Sequence, residues 1–217
     1  MTDSERADLI GFTLTHSLLR NELPRLAAAM AGRPTSATEE HVVEDHVRLV
    51  MDHLVRHHQE EDDFHWPLLV SRAPRAARLL ALLEAEHSEM DQLVDGVRDR
   101  DLPRRTRAAA MSHLSELVLA HLEEEDRSVV PLLAMHVTAA EQRESMARSR
   151  GKIPKLDELR VLAMMLAVAD DGERARMLAP LPEAVANAWA HEGSPQLTQV
   201  HRVLADVAGR PAEGDPQ

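Results

Sequence analysis

The sequence predicts an all-α protein: an up-down-up-down four-helix bundle followed by a C-terminal helical extension. Three observations predict it. Ala, Leu, Glu and Arg dominate, whereas Tyr is absent, Gly numbers eight and the aromatic set is only Phe12, Phe64, Trp66 and Trp189. A sheet protein would need aromatic and β-branched faces and glycine turns that this chain does not supply. Long stretches also place apolar residues at alternating spacings of three and four, the seam that faces a bundle axis. Finally, short breakers rich in Gly, Pro or Ser separate those stretches.

Thr2 or Asp3 can cap a first helix that runs to about residue 30, and AGRPTS at 31–36 breaks it. A second helix starts near Thr38, with Glu39 and Glu40 in a favourable first turn, and continues to about residue 69. Pro74 stands near the start of a third helix ending around Arg98, and the fourth runs from Pro103 to roughly His136. Residues 1–137 are therefore expected to form the bundle. Residues 138–208 form the extension: a polar, flexible run, TAAEQRESMARSRGKIPK, then short amphipathic helical patterns at 156–170, 171–181, 182–191 and 194–208. Residues 209–217 read as a disordered tail. Leu162, Met164, Met165, Leu166 and Met177 read as core or docking residues, and the extension offers a surface for a homodimer.

The four seams repeat. Leu9, Phe12, His16, Leu19, Leu23 and Leu26 of the first recur 71 positions later as Leu80, Leu83, His87, Met90, Val94 and Val97. Val50, Leu54, His57, Glu61, Phe64 and Leu68 of the second recur 64 positions later as Leu114, Val118, His121, Glu125, Ser128 and Leu132. The bundle reads as two copies of one helical hairpin.

Composition excludes several classes. With no Cys there are no disulfides, thiolate metal sites or cysteine nucleophiles, and a cytoplasmic address is expected. A formal charge of −12, without a Lys/Arg stripe, argues against nucleic acid as a partner. The longest apolar run, 161–169, is far below the ~20 residues a bilayer needs, and the first twelve residues lack the pattern of a signal peptide, so no membrane is expected.

Chemistry concentrates where the seams align. His16, His57, His87 and His121 occupy matching positions, and Glu61 and Glu125 come one helical turn after two of them, on the same face. Burying carboxylates among Leu, Val and Met costs several kcal/mol each unless they are paired, and no Lys or Arg lies on the seams. A pair of divalent cations would offset that cost. Imidazole and carboxylate without sulfur suit iron first, with manganese or zinc behind it. His41, His46, His65, His113, His136, His191 and His201 read as hydrogen-bonded or surface residues, and His53 as a flank of the site. A ferritin-like oxidase would need ExxH on two helices, and only Glu84 with His87 fits well.

These residues resemble the hemerythrin-like (HHE cation-binding) family. The likeness rests on His16, the HHQEED stretch beginning at His57, Glu86 with His87, and HLEEED beginning at His121 with Pro131; it covers about residues 5–136. It implies a non-haem di-iron centre, oxo-, hydroxo- or carboxylate-bridged, held by His16, His57, Glu61, His87, His121 and Glu125. Asp126 stands as an alternative to Glu125, and His58 is a further ligand candidate. The oxygen-carrying members place two His one turn apart on the third helix, whereas here Asp91 comes one turn after His87 and Leu83 one turn before it. Asp91, His58 or water then takes the fifth imidazole's place, an arrangement that favours sensing, storage or peroxide chemistry over reversible carriage. The resemblance implies O2, peroxide or nitric oxide as small-molecule ligands and, if there is turnover, a di-iron oxidoreductase. The alternative is an iron-responsive regulatory or interaction module without turnover, suggested by the extension.

Overall fold

A computed structural model describes residues 6–150 and 155–210. The expected cap at Thr2 or Asp3 and most of the expected disordered tail lie outside the described residues. Of that tail, Gly209 and Arg210 are described, and the Arg210 guanidinium donates to the Glu39 carboxylate at 2.8 Å.

The described residues are helical, without strands; an isolated bridge pairs Arg6 with Thr138. That bridge delays the first helix. Ala7 donates its N–H to Val137 O at 3.2 Å, so the chain stays extended and α1 spans Ile10–Ala31. α2 (Ala37–Glu60) opens on Ser36, whose hydroxyl accepts from the Glu39 N–H at 3.2 Å, while the Glu39 carboxylate accepts from the Thr35 N–H at 2.7 Å. Two orphan donors are thereby satisfied.

The second predicted helix is not continuous. After α2 comes a π-helical turn, Glu61–His65, then α3 (Trp66–Arg72) and a 3₁₀ turn, Pro74–Ala76. Pro67 has no N–H to bond back into the α ladder, and the Trp66 N–H bonds to Glu61 O, five residues back. The extra residue in the turn rotates α3 relative to α2. His65 and Leu69 are buried in place of the expected Phe64 and Leu68, which are only half-buried.

The same break recurs in the second hairpin. α4 (Ala77–Arg98) leads to α5 (Arg104–Ser128) and α6 (Val130–His136), the latter two separated at Val129 just before Pro131. Val129 and Leu133 are accordingly buried where Ser128 and Leu132 were expected.

α1 packs on α2 and α5, and α4 packs on the same two, closing a ring. Their apolar residues form two clusters. The smaller holds Phe12, Trp66, Leu69, Leu83 and Val129; the larger holds Leu19, Leu54, Met90 and Val118. α1 and α4 run from the smaller cluster to the larger, and α2 and α5 run back. The expected donor residues fall between the two in every helix.

The extension is part of this core. The stretch expected to be flexible contains α7 (Ala139–Arg150), with Gln142 and Ser145 buried and Glu141 held by Arg72 at 2.6 Å. Beyond it lie α8 (Lys155–Val168), α9 (Asp171–Leu178), α10 (Glu183–Ala188), a second π turn at Trp189–Gly193 and α11 (Ser194–Ala208). Met164, Met165, Leu197, Leu204 and Val207 join the larger cluster, and α8 and α11 lie against α1 and α2. The Arg48 guanidinium grips Asp157 with two bonds of 3.1 Å, fastening α2 to α8. Where α1 ends, Gly32 lies so close to α11 that a Cβ would stand 2.1 Å from Val207 O, which excludes any larger residue without displacing that helix.

A buried polar contact also joins α11 to α1. Glu22, 1% exposed, accepts from His46 Nε2 at 2.8 Å and from His201 Nε2 at 2.9 Å. Burial raises the Glu22 carboxyl, but the bonds and charges of His201 and His46 outweigh it and bring the pKa down to about 2 from 4.5. A carboxyl with a depressed folded-state pKa contributes stability that is fully present above the unfolded value and is lost as pH falls through the folded one. Measured by urea unfolding in chelator, the free-energy gap between wild type and Glu22→Gln should be on the order of 3 kcal/mol at neutral pH. It should shrink between about pH 4.5 and 2.

Candidate metal centre

The polar layer between the two apolar clusters is built by one helical turn from each of α1, α2, α4 and α5, with the π turn completing it. His16, His57, His58, Glu61, His87, His121 and Glu125 are all buried there, Glu61 and Glu125 completely. Because residues four apart share a helix face, each carboxylate stands beside the histidine of its own helix. Glu61 Oε1 lies 3.4 Å from His57 Nε2, and Glu125 Oε1 lies 3.1 Å from His121 Nε2.

The second oxygen of each carboxylate faces the other hairpin. Glu61 Oε2 lies 3.6 Å from His87 Nε2, and Glu125 Oε2 lies 3.4 Å from His16 Nε2. His16 and His57 approach through their Nε2 atoms at 3.1 Å, as do His87 and His121. The donors thus fall into two groups: His16, His57, Glu61 and Glu125 in one, His58, Glu61, His87 and His121 in the other. Glu61 belongs to both.

Three of the rings are oriented from behind. His16 Nδ1 contacts Asp126 at 2.7 Å, His87 Nδ1 contacts Asp62 at 2.8 Å, and His121 Nδ1 contacts Glu86 at 2.7 Å. With a proton on each of those Nδ1 atoms, the three Nε2 atoms turn bare lone pairs on the centre. All four oxygens of Glu61 and Glu125, and both nitrogens of His58, are buried without a hydrogen-bond partner among the described residues. Between His87 and His121, both backed at Nδ1, lone pairs aimed at one another across 3.1 Å repel, and unpartnered carboxylates are costly, so the donor set fits cations between them.

Electrostatics agrees with the geometry. Burial pushes the Glu61 carboxyl well above the usual carboxylate range, with Glu125 and Asp62 adding to it. Burial likewise holds the His57 and His58 imidazoles well below theirs, with the neighbouring histidines adding to it. The His121 imidazole goes the other way: burial lowers it, but Glu125 and Glu86 outweigh burial and raise it. Divalent charge would reverse the penalty on Glu61 and use the neutral rings as they are.

His58 lies with the buried histidines of the second group. Its ring stacks on His87 at 4.1 Å and 7°, and meets His121 edge-on at 5.5 Å, whereas Asp91 is exposed on α4 and outside both groups. Of the three alternatives for the fifth imidazole's place, His58 is the one that lies within a donor group. The two hairpins differ here, because Leu122 occupies the place in α5 that His58 holds in α2.

Asp126 is not among the donors; it backs His16 and is also paired with Arg20 at 2.7 Å. Phe12 lies against the rings of His16 and His57, as a water-excluding wall should. Phe64 does not share that role, since the π turn swings it outward beneath Arg148 and brings His65 inward instead. His53 stays outside the donor groups, as expected of a flank.

Sequence reasoning missed Asp62 and the backing role of Asp126. The duplication carried the signal: each acid stands directly after one of the paired glutamates, 64 positions apart, and they back His16 and His87, 71 apart. Asp126→Ala is expected to weaken metal retention by about 10- to 100-fold while leaving helical content unchanged. Competition against a chelator of known affinity would measure it.

Helices that converge imidazoles and carboxylates on a buried, two-lobed centre define a helical protein of cation-binding type. The chain belongs to the hemerythrin HHE cation-binding domain family, whose model matches residues 11–133. Comparison with curated proteins gave no match, and neither did comparison with solved structures. No helix among the described residues is long and apolar enough to cross a membrane.

Proposed function

We propose that this protein is a non-haem di-iron protein that binds or reacts with O2 or peroxide, built as an up-down-up-down four-helix bundle with a docked extension. The observation that carries the reading is the sharing of Glu61 between two donor groups. A carboxylate whose two oxygens face different imidazole sets is suited to bridge two cations. His16 and His57 would hold one, and His58, His87 and His121 the other, with Glu61 and Glu125 between them.

A ferrous pair supplies two electrons to a small oxidant. The chain's own residues do the rest. Asp126, Asp62 and Glu86 fix ring tautomers, and Phe12, Trp66 and Leu83 close the layer toward the smaller apolar cluster. The half with only two imidazoles has one nitrogen donor fewer, which leaves a coordination place there for a small ligand.

Anaerobic titration with Fe(II) should saturate at two ions per chain, and admission of O2 should then produce an oxygen-dependent absorption band in the near ultraviolet or visible. Saturation at one ion would sink the dinuclear reading, and an oxygen-insensitive spectrum would sink the reactive one. A second reading, a metal-responsive module without turnover, is favoured by the packing of α8 and α11 on α1, one of the helices that carries the donors. Assays for peroxide consumption separate the two.

A further inference from the structure

Away from the bundle centre, Glu22, His46 and His201 form another cluster in which one donor atom from each lies within 4.8 Å of the others. They come from α1, α2 and α11, and the pair Glu22 and His201 are 179 residues apart in the chain. Both imidazoles turn Nε2 toward the same carboxylate, at 2.8 Å for His46 and at 2.9 and 3.1 Å for His201, and their rings stand nearly perpendicular, at 85°.

We propose that Glu22, His46 and His201 form a second, mononuclear site for a divalent transition cation of the zinc class, which pins the C-terminal extension to the bundle. The donor chemistry selects the cation. Two imidazoles with one carboxylate suit zinc and its neighbours, whereas calcium and magnesium require oxygen donors throughout. Three protein ligands also leave one tetrahedral position for water.

Burial supports the assignment. Glu22 and His46 are each 1% exposed, and the ion-pair partners of Glu22 among the described residues are the two histidines, neither Lys nor Arg. The buried carboxylate is thus faced by imidazoles and by no fixed positive charge among its ion-pair partners. A cation in place of their shared protons would neutralise it fully.

The site is close to the required dimensions and can be reached. Donors around a tetrahedral zinc stand about 3.3 Å apart, so the two histidine contacts to Glu22 need open by only a few tenths of an ångström. His201 is partly exposed, with 21% of its side chain accessible. His46 forms part of the wall of a cavity of about 500 Å³ between α2, α8 and α11, which also presents Gln196 and Gln199. Asp45, Gln196 and Gln199 on that wall offer polar contacts to an entering ion.

The experiment counts zinc per chain by equilibrium dialysis and elemental analysis, using full-length protein first stripped with chelator, at a buffered free zinc level that saturates the wild type. His201→Ala and Glu22→Gln should each take up one ion fewer than wild type, whatever number the bundle centre holds. Cobalt substitution should show the same loss as weaker visible d–d absorption. Equal uptake by wild type and either variant overturns the proposal without touching the dinuclear reading. No zinc uptake by the wild type overturns the proposal as well, and the Fe(II) titration then decides the dinuclear reading by itself. If His201→Ala loses its helical circular dichroism, the near-isosteric Glu22→Gln decides the matter.

Discussion

Stripping bound metal from this protein is expected to lower its melting temperature by roughly 10 °C, and Glu61→Gln should abolish most of that difference. Both effects have a structural source. Metal binds the native state alone, because the donors converge only when α1, α2, α4 and α5 are packed together. A ligand held at about a thousand times its dissociation constant contributes on the order of 4 kcal/mol. For a chain of this length each kcal/mol is worth about 2–4 °C.

The stripped state meanwhile bears the cost of Glu61 and Glu125, whose four oxygens are buried without partners among the described residues. Glu61→Gln removes one of those carboxylates and with it the proposed bridge. Stripped variant and stripped wild type should therefore melt together, or the variant slightly higher, while added iron should no longer protect the variant. Calorimetric or circular dichroism melts with iron and with chelator test this. Superimposable wild-type curves would mean that the donors do not hold metal in the folded chain.

Arg107→Ala is expected to cost about 3–5 kcal/mol of unfolding free energy, the largest effect predicted for a residue outside the donor groups. Arg107 and Glu44 are 6% and 7% exposed and meet through two parallel bonds of 2.7 Å, while Arg107 Nε donates to Val97 O near the end of α4, also at 2.7 Å. Removing the guanidinium leaves a buried carboxylate, and Arg100, 3.5 Å away with a 70% exposed side chain, is poorly placed to replace it. Burial raises the Glu44 carboxyl, but Arg107 outweighs it and holds the group below its usual range, so the carboxylate is charged at neutral pH.

The companion test is the double replacement Arg107→Met with Glu44→Leu, which removes both charges and keeps the volume. It should recover most of the loss, because a buried ion pair and a well-packed apolar pair are often close in stability. Urea unfolding of the three proteins separates the outcomes: if the double variant is as unstable as the single one, packing rather than charge explains the cost.

Much of the centre is legible along the chain. His16, His57, His87 and His121, with Glu61 and Glu125, emerge from helical spacing and internal duplication, since residues four apart must share a face wherever a helix forms. His58 stands out in the HHQEED motif, but spacing cannot say which way it points. In a regular helix His57 and His58 lie about 100° apart, and only the ring of neighbouring helices brings both inward. Phe64 and His65 exchange roles for a related reason. A π turn displaces the register by one residue, and Pro67 announces a break in the ladder without saying how the chain resolves it.

By itself, then, the sequence determined the helices, their buried faces and the paired histidine and glutamate turns, because these depend on contacts within a few residues. Tertiary structure alone decided the π-shifted wall, the acids behind the imidazoles, the docking of α8 and α11, and the meeting of Glu22 with His46 and His201. Those depend on atoms brought together from helices far apart in the chain, for which no local periodicity leaves a trace.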